Sequence, residues 1–455
     1  MKSSTESRGL ATFLTLWAGQ VVSLLGSNLT GFALGVWVYQ RTGSTTQFAL
    51  IFFLTSLPSL LLAPLAGVLV DRWNRRVALL VSDAGAGLAT LIAALLLWQG
   101  QLEVWHVYVL RTANAVFGVL QWPAFSAAAT QLVPKRHLVR ASGLVQAGTA
   151  TAEILAPLLA GLLMVQIGLN GVIWIDFATF GFAVLTQLVV RIPPISRRER
   201  SGGEGTRPSI RQEALAGWSF LQVHRGLFSL LLLFASAHLA LGMMQALVTP
   251  MVLGFAQPAV LGSVLTAAGV GMLAGALMMS AWGGPRHRVP WILGVLALEG
   301  ALLILGGLRP NAFLVGAAAF SFTFGMQVLN ATNQALWQVK VPLELQGRVF
   351  ALRRMVSWST LPVAYLIAGP LAEWVFEPLL TPGGPLADSV GRILGVGKGR
   401  GIALLFGALG TCLLALVALA SRNPTLRRLE TEIPDALPSE AKPEEASAPG
   451  AASHG

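Results

Sequence analysis

Ionisable side chains are scarce inside the apolar runs of this sequence, so the few that lie there mark where charge chemistry can occur. Arg111 reads as the one basic residue within such a run. An uncompensated charge in hydrocarbon costs at least ~3 kcal/mol even on insertion scales, so Arg111 needs a partner or water. It suits the binding of an anionic group or the tuning of a nearby carboxyl. Glu153 falls near the middle of another run, beside the small residues Ala152, Ala156, Pro157, Ala160 and Gly161. A carboxyl in an apolar setting resists ionisation, the property that lets a group load and release a proton. Two readings of the pair stand side by side: Glu153 exchanges protons while Arg111 modulates it, or the two form a fixed structural ion pair. Along their helix axes they are offset by roughly 10 Å before side-chain reach is counted, which does not choose between them.

Other chemistries find no support. Cys412 is the sole cysteine, so neither an internal disulfide nor a cysteine metal site is expected. The six histidines show no metal-ligand spacing and no metal is expected; His238 reads as a second proton site or as a hydrogen-bonded core histidine. Gly395-Val-Gly-Lys398-Gly lacks the Ser or Thr that follows the lysine of a phosphate loop, and its first glycine is misplaced. No ATPase, no catalytic residue, no cofactor and no enzyme is indicated. Asn28-Leu-Thr30 and Asn330-Ala-Thr332 have glycosylation spacing but lie inside apolar runs, as chance matches do.

The elements that must position these groups follow from composition. Of 455 residues, 54% are hydrophobic and 11% charged, far too apolar for an ordinary soluble protein. Twelve apolar segments occur, at roughly 11–39, 47–70, 77–99, 104–126, 142–167, 171–191, 227–253, 259–282, 289–308, 311–335, 355–376 and 401–421. Each is long enough to cross a ~30 Å hydrocarbon layer as a helix, so the expected class is an all-α membrane protein of twelve transmembrane helices. The net charge of +11 resides almost wholly in alternate loops, those carrying Arg72, Arg75 and Arg76, then Lys135, Arg136 and Arg140, then the 191–225 cluster, then Arg286 and Arg288, then Lys340, Arg348, Arg353 and Arg354. The other loops hold only Arg41, Arg309, Arg392, Lys398 and Arg400. This positive-inside bias puts both termini in the cytoplasm. The basic charge then reports orientation and anionic lipid headgroups rather than nucleic acid. The first segment exceeds a signal-peptide core and lacks a cleavage site, so it reads as a retained helix.

The chain divides into a six-helix bundle over 1–191, a hydrophilic linker over 192–226, a second bundle over 227–421 and a disordered cytoplasmic tail over 422–455. Within the linker, 210–221 reads as an amphipathic helix with Leu215, Trp218 and Leu221 toward lipid. The bundles echo one another. Val133-Pro134 and Val341-Pro342 are each followed at equal intervals by an arginine, Arg140 or Arg348, and then by an Ala-Gly pair, Ala160-Gly161 or Ala368-Gly369. Two related bundles imply a site between them near the midplane, reached alternately from either side as they rock.

Between the second and third segments lies Gly67-x-Leu69-x-Asp71-Arg72-x-x-Arg75-Arg76. This resembles the loop signature of the major facilitator superfamily. Gly67 lets its helix approach the opposite bundle, Asp71 can meet a helix N-terminus there, and the arginines hold the inner face. Asn74 stands where the family has a turn glycine and is expected to keep the turn through a left-handed conformation. The fifth segment carries a weakened form of the family's glycine-rich antiporter signature in Gly143, Ala152, Ala156, Pro157, Ala160 and Gly161, every position small enough for close helix packing. Gln346-Gly-Arg348-Val-Phe350 and Pro378-Leu-Leu-Thr-Pro-Gly-Gly384 are similar to the drug/proton antiporter subgroup of macrolide efflux proteins and the enterobactin exporter.

The resemblance implies two pseudo-symmetric six-helix bundles and a cavity lined mainly by the first, fourth, seventh and tenth helices. Each bears a polar stripe at helical spacing: Gln20, Ser23, Ser27 and Thr30; Arg111, Asn114, Gly118 and Gln121; His238, Gly242, Gln245 and Thr249; Thr323, Gln327, Asn330 and Gln334. These are expected to form a wet pathway, although any one of them can instead join helix to helix. The expected conformational switch comprises Gly67, Asp71, Arg72, Arg75, Arg76 and Asp83, and Pro157 and Gly161 are expected to pack helices. Asp176 and Glu299 fall on helices that are peripheral in this fold and are expected to stay away from substrate. The first segment lacks the acidic residue of several cation-exporting relatives, leaving neutral, zwitterionic and anionic substrates open. What the resemblance implies is proton-coupled export of an amphipathic small molecule, a macrolide-like drug or a siderophore, by a monomer in the bacterial inner membrane, with protons and lipids as its other partners. Two alternatives remain: a lysolipid flippase of the same fold, and a transporter-like receptor or scaffold acting through its loop and tail.

Overall fold

The computed structural model describes residues 2–133, 138–190 and 218–433. The side chains of Gly67, Asp71 and Arg72, the linker through residue 217 and the tail beyond residue 433 lie outside the described residues. Among the described residues twelve long helices form: α1 Lys2–Thr42, α2 Thr45–Arg72, α3 Arg75–Trp98, α4 Val104–Leu132, α5 Leu138–Gln166, α6 Gly168–Val189, α7 Arg225–Leu253, α8 Pro258–Trp282, α9 Arg288–Gly307, α10 Ala312–Lys340, α11 Leu343–Pro370 and α12 Arg400–Arg422. In hydrocarbon every backbone polar group must be satisfied within the segment, and the helix does this. Eleven of them are long and apolar enough to cross a membrane; the exception is α4, which carries Arg111, Asn114 and Gln121.

The short connections are built from caps. The two-residue link between α2 and α3 ends in Asn74, whose side chain accepts from the Arg76 backbone N–H. Asn74 is extended, with φ −67° and ψ 125°, and so differs from the left-handed turn expected of it. A link this short leaves room for an N-cap and nothing more. Ser44 and Asn311 cap α2 and α10 in the same way.

The halves α1–α6 and α7–α12 meet along two seams, α5 against α8 and α2 against α11. Their ends are distinguished by charge: the links α2–α3, α4–α5, α8–α9 and α10–α11 form a basic end, and the seams close at the other, here called the far end. Gly161 and Gly369, the glycines of the internal echo, both stand at these seams. A Cβ on Gly161 would meet the Pro258 carbonyl oxygen at 2.8 Å, and one on Gly369 would meet Thr46 Cα at 2.5 Å. Small residues let the backbones come this close. Gly262 in turn leaves room for the Pro157 carbonyl, which a Cβ would meet at 2.5 Å, and the Thr266 hydroxyl donates to the Ile154 carbonyl at 3.1 Å. An apolar cluster spans the junction, with Val36 and Ala49 packed among Met243, Leu247, Ala364 and Ala368. Toward the basic end, Leu61 and Leu65 of α2 and Met355 and Trp358 of α11 are more than half exposed.

Two expectations at the domain edges need correction. Asn423 to Ile433 is folded, as two short helices Pro424–Arg427 and Leu429–Glu432. Leu426, Leu429 and Ile433 are buried in the second half's core, and Lys340 Nζ donates to the Glu430 and Ile433 carbonyls at 2.6 and 2.5 Å. Three apolar residues at helical spacing and a buried ammonium hold down a segment whose composition reads as disordered. Leu221, expected toward lipid, is fully buried against the same core because the helical turn over 218–223 folds back on α7.

Candidate functional site: a cavity between the halves

A cavity of about 310 Å³ lies between the halves, and both intramembrane charges singled out in the sequence, Arg111 and Glu153, are on its wall. Its remaining surface is mixed. Asn28 and Thr249 supply polar groups, Phe32, Phe48, Ile51 and Phe52 supply apolar and aromatic area, and Pro157 and Leu265 come from the α5/α8 seam. Concave, mainly apolar walls with a few polar groups are what a small organic ligand requires.

Gly31 makes room for Arg111: a Cβ there would stand 3.0 Å from the guanidinium Nη2. Arg111 and Glu153 share the cavity wall with no hydrogen bond or ion pair between them among the described residues, and Arg111 Nε is buried without a partner there. A fixed Arg111 to Glu153 ion pair is therefore absent from this conformation. Asp176 is 1% exposed on α6, the expected periphery, and its contacts there are with threonines. It accepts from the Thr90 hydroxyl at 3.3 Å, and the Thr179 hydroxyl, which donates to the Asp176 carbonyl at 2.7 Å, also lies 3.5 Å from its carboxylate. Glu299 is also 1% exposed and lies on α9, where its Oε1 has no hydrogen-bond partner among the described residues.

Asp83 takes a different place from the expected loop switch. It is fully buried within the first half and accepts from Gln20 Nε2 at 2.7 Å, from Gln121 Nε2 at 2.9 Å and from Gln187 Nε2. Gln121 also donates to Gln20 Oε1 at 2.9 Å, which closes a ring of amides around the carboxylate. Gln20 and Gln121, expected on the cavity wall, spend their amides here, tying α1, α3, α4 and α6 together. Arg76 is held within its own half, donating from Nε to the Gln187 carbonyl at 2.9 Å and from Nη2 to the Leu188 carbonyl at 2.6 Å. These are last-turn carbonyls of α6, where a cation is favoured.

The other expected cavity residues are distributed. Ser23 is buried and Ser27 donates to the Ser23 carbonyl at 3.0 Å, while Asn114 is half-buried one turn from Arg111. Gln245 accepts from the Tyr365 hydroxyl at 2.7 Å, beside a contact across the halves in which the Phe52 and Tyr365 rings lie 5.5 Å apart. Gln327 lines a hollow between α8 and α10 with Arg288, and His238 and Asn330 line another cavity in the same half.

Sequence reasoning missed the closure at the far end. Glu373, on the π-helical turn Leu371–Phe376 that extends α11, accepts from the Ser44 hydroxyl at 2.7 Å and the Thr46 backbone N–H at 2.8 Å. A carboxylate from one half thus caps the N-terminus of α2 in the other, where the helix dipole favours negative charge. Lys398 adds a second link, its Nζ 5.7 Å from the centre of the Tyr39 ring. Replacing Glu373 with Ala is expected to expose the far end. A thiol placed at residue 46 in a cysteine-free background should react with a membrane-impermeant maleimide several-fold faster in that variant than with Glu373 intact.

A model of the Major Facilitator Superfamily matches residues 16–364, more than three quarters of the chain. The chain belongs to this superfamily. As a superfamily member it is a multi-pass membrane transporter with relatives among efflux proteins. It is 27% identical over 366 residues to macrolide efflux protein A of Streptococcus pyogenes, covering 79% of this chain and 89% of that one. It is 28% identical over 382 residues to multidrug efflux pump Tap of Mycobacterium tuberculosis, covering 81% and 88%. Among solved structures it matches nucleoside transporter NupG with TM-score 0.71 at 10% identity, covering 90% of this chain and 99% of that one. A bacterial homologue of the human lysosomal transporter Spinster, in an inward-facing and unoccupied conformation, matches with TM-score 0.63 at 15% identity, covering 93% of each chain. At these identities the structural matches speak for the superfamily fold.

Proposed function

We propose that this superfamily member exports amphipathic small molecules from the bacterial cytoplasm by proton-coupled alternating access, with Glu153 as the exchanging group and Arg111 as its modulator. The observation that carries this is the cavity between the halves, which holds both charges and is sealed at the far end by the two glycine seams and Glu373. The bias of arginine and lysine assigns the basic end to the cytoplasm. On that assignment the conformation faces inward, ready to load, and both termini are cytoplasmic. No ion pair with Arg111 occupies the Glu153 carboxyl among the described residues, which leaves it to water and ligand. The phenylalanines of the wall take the apolar part of a substrate, and macrolide-like drugs are the class to try first, given the named efflux relatives. An amphipathic siderophore also pairs polar groups with apolar area and belongs in the same panel.

The test uses everted vesicles containing the full chain and a preformed pH gradient. Addition of a transported compound is expected to dissipate the gradient in a saturable way, whereas a folded protein that responds to no member of a macrolide, dye and siderophore panel would remove proton-coupled export of these classes.

A further inference from the structure

The second half carries a cavity of its own, of about 450 Å³, between α7, α10 and α11. His238 and Thr249 lie on α7 and line this cavity and the central one respectively. Eleven residues separate them, so the two cavities are offset by ~16 Å along the helix axis, this one toward the basic end.

Its chemistry is that of an anion receptor. Arg353 and Arg354 line it, together with the amides of Asn330, Asn333 and Gln334, and no Asp or Glu is among the described lining residues. Arg353 Nη2 donates to Gln334 Oε1, which fixes the guanidinium plane. Its Nη1 is buried and has no hydrogen-bond partner among the described residues. The guanidinium lies over the rings of Trp337 and Phe350, at 5.3 and 5.4 Å from their centres, and Arg354 lies 5.0 Å over Trp358. Ring faces offset part of the cost of burying a cation, but they leave its N–H donors unanswered. A guanidinium fixed in plane, with a donor left over and no carboxylate among the described lining residues, matches the fork geometry of a carboxylate, sulfonate or phosphate.

We infer that this cavity is a binding site for an anionic head on an apolar or aromatic body, with Arg353 taking the head and the exposed ring of Trp358 taking the body. Its role as a loading site rests on the reading of the basic end as the cytoplasmic entrance. The acidic end of a substrate docks there before the molecule moves ~16 Å deeper to the wall that bears Glu153. The same head can arrive as a dissolved organic acid or as the headgroup of an anionic lipid.

The test measures binding to the full chain in nanodiscs of phosphatidylcholine alone, with 2-naphthoate as probe and its neutral amide, 2-naphthamide, as comparison. Naphthoate is expected to bind saturably and about tenfold or more tighter than the amide, the scale of one charge-assisted hydrogen bond. Arg353→Gln should remove that preference. So should Gln334→Glu, which sets a carboxylate against the guanidinium from the cavity's own wall and keeps the helix pair charged and folded. Arg309→Gln, at the far end, should leave it unchanged. Equal binding of acid and amide, or an unaltered preference in both cavity variants, would overturn the assignment. Phosphatidylglycerol in the discs separates the sources: displacement of naphthoate marks a lipid headgroup as the occupant, and unchanged binding marks a dissolved acid. Because binding is read without a proton gradient, its failure leaves coupled export standing, and failure of export with naphthoate still bound leaves this site standing.

Discussion

Vesicles carrying Glu153→Gln are expected to lose export driven by a pH gradient by a factor on the order of 100, the lower end of what loss of a positioned proton-transfer group costs. The reason is the absence of a substitute. Of the four carboxyls named on the spans, Asp83 is enclosed by three amides, Asp176 is engaged by Thr90 and Thr179, and Glu299 is buried on α9. Glu153 alone among them lines the central cavity. Glutamine keeps its size and part of its hydrogen bonding, so substrate still binds. Exchange of labelled for unlabelled substrate at equal pH should therefore persist within a few-fold. A variant that retained gradient-driven export would move the proton site elsewhere, and one that lost exchange as well would make Glu153 a substrate ligand rather than a coupling group.

The second large effect concerns stability. Asp83→Ala strands three amide donors, those of Gln20, Gln121 and Gln187, in the interior of the first half. A buried donor left unsatisfied costs about 1 to 3 kcal/mol, and the ring's mutual support raises the total, so a loss of about 4 kcal/mol is expected. That is a large part of the stability of most folds. Asp83→Asn keeps one acceptor oxygen but points an amide nitrogen at donors, so it should recover only part of the loss. Thermal unfolding of the purified protein in detergent orders wild type above Asn above Ala. A tolerated alanine would mean that water enters and satisfies the amides. No comparable effect is expected at Arg76, whose bonds go to helix-end carbonyls near the surface.

The architecture was readable because a bilayer demands long apolar helices, and the loop charges reported their alternation. Arg111 and Glu153 were readable because charge is rare at such depth. Arg353 was not. It sits near Arg348 and Arg354 and reads as a loop residue, yet α11 begins at Leu343 and carries it ten residues into the helix. Long basic side chains allow a membrane helix to extend past its apolar stretch, so charge does not mark the helix end. Asp83 was assigned to the loop arginines because they are near in sequence; its partners come from three other helices. Glu373 could not be found at all, since Ser44 is 329 residues away and no local pattern links them. The folded tail was hidden by its neighbours, because Leu426, Leu429 and Ile433 have the spacing of a helix face but stand at the start of a Pro- and Glu-rich stretch.

The paired glycines have a consequence for how the far end opens. Gly161 and Gly369 hold equivalent places in the two repeats, and each lets its helix touch the first turn of a helix in the opposite half, α8 or α2. Both contacts join the halves at the far end, so opening there has to part close backbone approaches at Gly161 and at Gly369. A side chain added at either glycine therefore pushes on the same closed end, wedging the halves apart where the backbones now meet.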